Sequence, residues 1–141
     1  MSGVVLLDTG PLVAVLDERE QSHAWAVSRV GEVKLPVWTC GAVIAETCFL
    51  LAQHRPALAK LSLLVRNGDI RPVDEDGLFW SRAFSIMERY ANVRTSFADA
   101  CLVAMADRHT GAQIFTLDRD FLIYRDGKGK PLSVIAPFVV A

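Results

Sequence analysis

The sequence predicts an α/β domain: a central parallel sheet of about four to five strands with helices on both faces, a three-layer α/β/α arrangement. Three observations point to it. Short apolar, β-prone runs alternate along the chain with segments of helical periodicity. The first run, Val4-Val5-Leu6-Leu7, is apolar without alternation, as expected of a strand buried on both faces. Hydrophobic residues make up 52% of the 141 and charged residues 22%, which suits one domain over residues 1–141 with a sizeable core.

Each element has a local reason. Asp8-Thr9-Gly10-Pro11 ends the first strand, and Pro11 fits the first turn of a helix from Leu12 to Asp17. Ser22 can cap a second helix, His23 to about Val33. Lys34 to Trp38 reads as the second strand. Thr39 can cap a helix from Gly41 to Gln53 that breaks before Pro56. Ala57 to Arg66 is helical and stops at Asn67-Gly68. Ile70 to Val73 is a short strand. Asp74 or Asp76 opens an amphipathic helix to about Tyr90, with Leu78, Phe79, Ala83, Ile86 and Met87 at helical spacing. Thr95 or Ser96 caps a helix from Phe97 to Thr110 that Gly111 ends. Gln113 to Thr116 is a strand, and Leu117 to Phe121 a turn of helix. A Gly- and Lys-rich loop over Asp126 to Pro131 precedes a last strand from Leu132 to Ile135.

Composition excludes several classes. No apolar stretch reaches the roughly 18 residues of a membrane span, and the N-terminus lacks a signal peptide's basic flank. The expectation is a cytoplasmic protein. Cys40, Cys48 and Cys101 are odd in number and set in apolar sequence, so buried free thiols are expected. His23, His54 and His109 have no zinc-ligand spacing. The net charge of −1 lacks the basic excess usual in nucleic-acid binders, so local cations or a bound metal must supply positive charge.

The acidic residues carry the chemical signal. In open parallel sheets, ligands bind beyond the carboxyl ends of the strands, and Asp8 and Asp118 both follow strands there. Glu46 is the only charge in an otherwise apolar helix, and Asp99 repeats that situation in Phe97-Ala98-Asp99-Ala100-Cys101-Leu102. Both are expected to be buried, and a buried carboxylate must be paired or coordinate a metal. A buried ion pair with Arg or Lys would satisfy one such residue. Two, joined by two strand-end aspartates, favour a shared cation. Oxygen-only ligands suit Mg²⁺ or Mn²⁺, and metal-held carboxylates suit phosphodiester hydrolysis without a protein nucleophile.

In this order, Asp8 after the first strand, Glu46 in a mid-chain helix, Asp99 in a later apolar helix and Asp118 after the next strand resemble the acidic quartet of the PIN-domain family. The words Leu7-Asp8-Thr9, Ser96-Phe97-Ala98-Asp99-Ala100 and Thr116-Leu117-Asp118-Arg119-Asp120-Phe121 match as well. The resemblance runs from Val4 to about Phe121, and the chain length is similar to that of VapC-type toxins. It implies a Mg²⁺- or Mn²⁺-dependent endoribonuclease acting on RNA. It further implies a homodimer held in check by a small antitoxin protein. By position, Asp8, Glu46 and Asp99 would be the main metal ligands and Asp118 the fourth acid, with Asp120 competing for that place. Thr9, Ser96 and Thr116 would be polar support.

Rival readings are weaker. A haloacid-dehalogenase-like phosphatase wants a second Asp two positions after the first, where Gly10 stands, and a receiver domain wants an acidic pair that Asp8-Thr9 does not supply. A PIN scaffold that binds without cutting would be expected to have lost acids. A housekeeping PIN nuclease without antitoxin shares every residue named. Arg94 can face RNA phosphate or an acid, and Arg119, Arg125, Lys128 and Lys130 form a basic cluster. Trp25, Trp38 and Trp80 read as core or interface. The apolar helices from Trp25 to Leu64 exceed the needs of one small core, which leaves a surface for a partner.

Overall fold

A computed structural model describes residues 3–73 and 76–139. The elements in chain order are β1 (Val5–Leu7), α1 (Thr9–Leu16), α2 (His23–Val30), β2 (Val37–Cys40), α3 (Gly41–Leu50) and α4 (Arg55–Arg66). They continue with β3 (Ile70–Val73), α5 (Gly77–Arg89), α6 (Phe97–Arg108), β4 (Gln113–Phe115) and β5 (Ser133–Ile135), with short 3₁₀ turns at Ala91–Val93 and Arg119–Leu122. The strands form one parallel sheet in the order β3-β2-β1-β4-β5. That is the predicted α/β/α architecture with five strands. Asp74 falls outside the described residues. Asp76 is the cap of α5, its side chain accepting from the Phe79 N–H.

β1 lies at the centre, so all three of its residues are buried, as the unbroken apolar run requires. The chain first builds outward, β1 to β2 to β3, then returns across the sheet to add β4 on the other side of β1. Right-handed crossovers send α1–α4 to one face and α5 and α6 to the other. The packing agrees: α1 meets α2, α3 and α4, while α6 meets α5 and the central strands. The reversal leaves a crevice at the carboxyl ends of β1 and β4, where open sheets of this type bind ligands. Pro72 sits in β3, an edge strand with β2 as its neighbour, where a missing N–H is tolerated.

Several boundaries differ from expectation for local reasons. β2 begins at Val37 because Pro36 has no N–H; the Val37 N–H bonds to the Asp69 carbonyl. Thr39 is therefore a strand residue, not a helix cap, and its hydroxyl donates to the Leu7 carbonyl at 2.7 Å, tying β2 to β1. Pro56 opens α4 rather than breaking α3, which stops earlier, at Leu50. The His54 imidazole Nδ1 caps α4 by accepting from the Ala57 N–H. α1 starts at Thr9, not Leu12, because Asp8 caps it, and α2 ends at Val30, with Gly31 as its cap.

The largest correction concerns α3. Its apolar composition predicts burial, yet only Val43 and Thr47 are buried, and Glu46 is exposed. Phe49 is 80% exposed, Leu50 61%, and Cys48 is an exposed thiol rather than a buried one. On α5, Leu78 points outward at 81% exposure, while Phe79, Ala83 and Ile86 face the core. Trp80 is also exposed, its ring edge-on to Phe97. Asp99 keeps to expectation and is buried.

Candidate active site

Asp8 is the residue at which β1 becomes α1. Its N–H continues the sheet by donating to the Phe115 carbonyl, and its carboxylate caps α1 by accepting from the Thr9 N–H at 2.8 Å. The same carboxylate accepts the Thr116 hydroxyl at 2.6 Å. That hydroxyl in turn accepts from the Asp118 N–H at 2.9 Å. One threonine at the end of β4 thus fixes both strand-end acids.

Glu46 reaches the same place from α3. The Thr9 hydroxyl donates to it at 2.7 Å, which holds a long, exposed side chain over the end of β1. Asp99 comes from the first turn of α6. The Ser96 hydroxyl caps that helix by accepting from the Asp99 N–H at 3.0 Å, and the Tyr124 hydroxyl donates to the Asp99 carboxylate at 3.0 Å. The Asp118 side chain accepts from the Asp120 N–H at 2.8 Å and caps the following 3₁₀ turn.

These groups line one open cleft of about 620 Å³ with Gly10, Arg94, Leu117 and Arg119. All eight predicted site residues, Asp8, Thr9, Glu46, Ser96, Asp99, Thr116, Asp118 and Asp120, meet in or directly behind it. Gly10 is there for space: a Cβ would lie 3.2 Å from that of Leu117. Arg94 is the one described non-glycine residue in the left-handed region, at φ 58°, and its exposed side chain lies on the cleft rim. Arg119 lines the cleft with its guanidinium 4.7 Å from the Phe138 ring centre. A second, smaller cleft of about 400 Å³ between the end of α6 and the Asp126–Ser133 segment contains none of these acids.

Electrostatics set the cleft apart. Burial, with further repulsion from Asp118 and Glu46, pushes Asp8 up to about 6 despite the hydrogen bonds from Thr116 and Thr9. Burial and the Asp8 charge push Asp99 up to about 7, against the opposing bond from Tyr124. Asp120 is raised by partial burial and by Asp118. The ion pairs among the described residues are Arg19–Asp17, His54–Asp17, Arg82–Asp107 and Arg108–Asp76, and none involves a cleft acid. A buried ion pair therefore does not account for Asp8 or Asp99.

The donor set is carboxylate oxygen throughout, which fits Mg²⁺ or Mn²⁺. Among the described residues no acids, cysteines or histidines close into a ready-made cage; the carboxylates line an open cleft. Tyr124 escapes sequence reasoning. It lies in Phe121-Leu122-Ile123-Tyr124, which reads as core, and nothing in the spacing links it to Asp99. The only signal was its hydroxyl, a polar group that burial obliges to find a partner.

The sequence matches the PIN domain family over residues 5–126. Ribonuclease VapC26 of Mycobacterium tuberculosis is 28% identical over 117 residues, spanning 82% of this chain and 87% of the relative. Among solved structures, Mycobacterium tuberculosis VapC20, described as a sarcin-ricin loop cleaving toxin, has a TM-score of 0.73 at 22% identity and covers 82% of this chain and 91% of its own. FitAcB from Neisseria gonorrhoeae gives 0.60 at 19% identity over 97% and 100% of the two chains. The structure of FitAB bound to an IR36 DNA fragment gives 0.64 at 19% over 98% of each. The structural likenesses concern the fold.

Proposed function

The chain belongs to the PIN-domain family, and from that premise we propose that it is a divalent-metal-dependent endoribonuclease, the toxin of a toxin–antitoxin pair. The observation that carries this reading is the meeting of Asp8, Glu46, Asp99 and Asp118 at the sheet's switch point, with no cation among the described residues ion-paired to any of them. Like charges gathered at partly buried positions repel unless a cation joins them. Ribonuclease VapC26 supports the activity by its name and by its similarity over most of both chains.

Asp8, Glu46 and Asp99 would hold Mg²⁺ or Mn²⁺, with Asp118 as the fourth acid. We prefer Asp118 to Asp120 because Asp118 comes first after β4 and its charge raises both Asp8 and Asp99. When bound, the ion supplies Lewis acidity and positive charge against the RNA phosphodiester. The chain's own groups do the rest. Thr116 and Thr9 hold Asp8 and Glu46 in orientation, and Arg94 and Arg119 on the rim attract the phosphate backbone. These two arginines supply locally what a net charge of −1 does not.

The apolar residues exposed on α3 and α5, Phe49, Leu50, Leu78 and Phe84, support protein partners, a second copy and a small antitoxin. Among the described residues no helix is long and apolar enough to cross a membrane. The test is incubation of the purified, partner-free protein with total RNA in Mg²⁺, in Mn²⁺ and in chelator, beside Asp8→Asn. Discrete products that need metal and vanish in the folded variant are expected. Intact RNA under both metals would turn the reading toward a non-cutting scaffold.

A further inference from the structure

The loop after β4 delivers a group to the cleft from behind. Tyr124 is fully buried, and its ring is boxed by Tyr90 and Phe121, each with its centroid 5.1 Å away and set edge-on. The Tyr90 hydroxyl accepts from the backbone N–H of Arg125 at 2.9 Å and so fixes the neighbouring residue. Packing alone would be served by phenylalanine. Burying a phenol costs free energy unless its hydroxyl finds a partner, and here it donates to the Asp99 carboxylate, Oη to Oδ2 at 3.0 Å, with the Thr95 side chain as a further hydrogen-bond partner. Asp99 faces the cleft with Tyr124 at its back, and the Ser96 cap holds its backbone.

We propose that Tyr124 is a positioning residue of the metal centre: its phenol pins one oxygen of Asp99 and orients the carboxylate toward the cation. The role parallels those of Thr116 on Asp8 and Thr9 on Glu46, each supplied by a residue distant in sequence. A partner behind a ligating carboxylate fixes its geometry, and losing such a partner commonly costs about 10- to 100-fold in metal affinity. The inference rests on the metal-centre reading above, and its test separates the two.

Mn²⁺ alone is titrated calorimetrically into the metal-free full chain, into Tyr124→Phe and into Tyr90→Phe. The last removes a hydroxyl from the same aromatic cluster that touches no acid. The expectation is at least about 10-fold weaker Mn²⁺ binding by Tyr124→Phe, with parent-like binding by Tyr90→Phe. Parent-like affinity in Tyr124→Phe, or equal weakening in both variants, overturns the inference. If the parent itself binds no Mn²⁺, the metal-centre reading fails first and takes this inference with it. Should Tyr124→Phe not fold, the parent answers alone. It has two tyrosines, so carbon NMR of protein labelled only at tyrosine Cζ shows two signals. On adding Mg²⁺ the Tyr124 signal must move and the Tyr90 signal stay; an unmoved Tyr124 signal overturns the inference.

Discussion

Burial and neighbouring charge make Asp99 and Asp8 reluctant to ionise, at about 7 and about 6 respectively. In an unfolded chain both would titrate near the ordinary value of about 4. The folded pKa is raised, so the stabilising contribution is fully present below about 4 and is lost as pH rises through 6 and 7. In chelator the protein is therefore expected to melt progressively lower from pH 5 to pH 8. Asp99→Asn, which still accepts the Tyr124 hydroxyl, should be more stable than the parent at pH 8, by on the order of 3 kcal/mol, and the gap should narrow as pH falls and close by about pH 4. A variant less stable than the parent at pH 8 would contradict this. Mn²⁺ competes with protons for the same oxygens, so its affinity, read by calorimetry, should rise from pH 6 to pH 8. Thr116→Val deletes the bond to Asp8 and the acceptor for the Asp118 N–H. The expected outcome is a kcat lower by about 10- to 100-fold and about 1–3 kcal/mol less stability, measured by RNA cleavage and thermal melts. At this scale Asp8, Asp99 and Asp118 were legible because strand ends and an apolar helix make an acid conspicuous. Tyr124 was not, since a buried aromatic in a core-like run carries no visible polar duty.

The first turns of α1 and α6 both serve the cleft, through their caps Asp8 and Ser96. Ser96→Ala removes the acceptor for the Asp99 N–H and should cost about 1 kcal/mol, seen as a lower denaturation midpoint with unchanged slope. Gly10→Ala places a methyl 3.2 Å from the Leu117 Cβ, so α1 or the Leu117–Asp118 segment must shift by a few tenths of an ångström. Cleavage should fall further than the melting temperature does, because Asp118 follows Leu117 directly; an unchanged kcat would show that the segment absorbs the shift elsewhere. Elements were legible where local chemistry decides, as in β3, whose Ile70–Val73 limits were anticipated. β2 slipped because Pro36 withholds a donor. α3 misled more deeply: an apolar sequence says that a surface will be covered, but not whether the chain's own core or another molecule covers it. Glu46 was thus picked out by an expected burial that the fold does not provide, and Thr9 rather than burial fixes it.

Across the molecule, the strand order makes the site. The sequence showed alternation, hence parallel strands, but not that β1 would stand between β2 and β4; that follows from long-range pairing and crossover handedness. Once β1 is central, the ends of β1 and β4, the start of α6 and the face of α3 can share one cleft. The exposed apolar positions belong to this scale too. Phe49→Glu is expected to leave the melting temperature close to the parent's, because the side chain is 80% exposed, and to lower the assembled mass measured by light scattering. A parent that is already monomeric, or a variant that stays dimeric, would assign the α3 face to another partner. The central claim, an RNA-cutting metal centre built from these acids, is tested most directly by cleavage of RNA as Mn²⁺ is titrated into metal-free protein, with folded Asp99→Asn alongside. Products should appear with Mn²⁺ in the parent and be absent from the variant at every concentration. Cleavage that persists in chelator, or that Asp99→Asn retains at the parental rate, would contradict it.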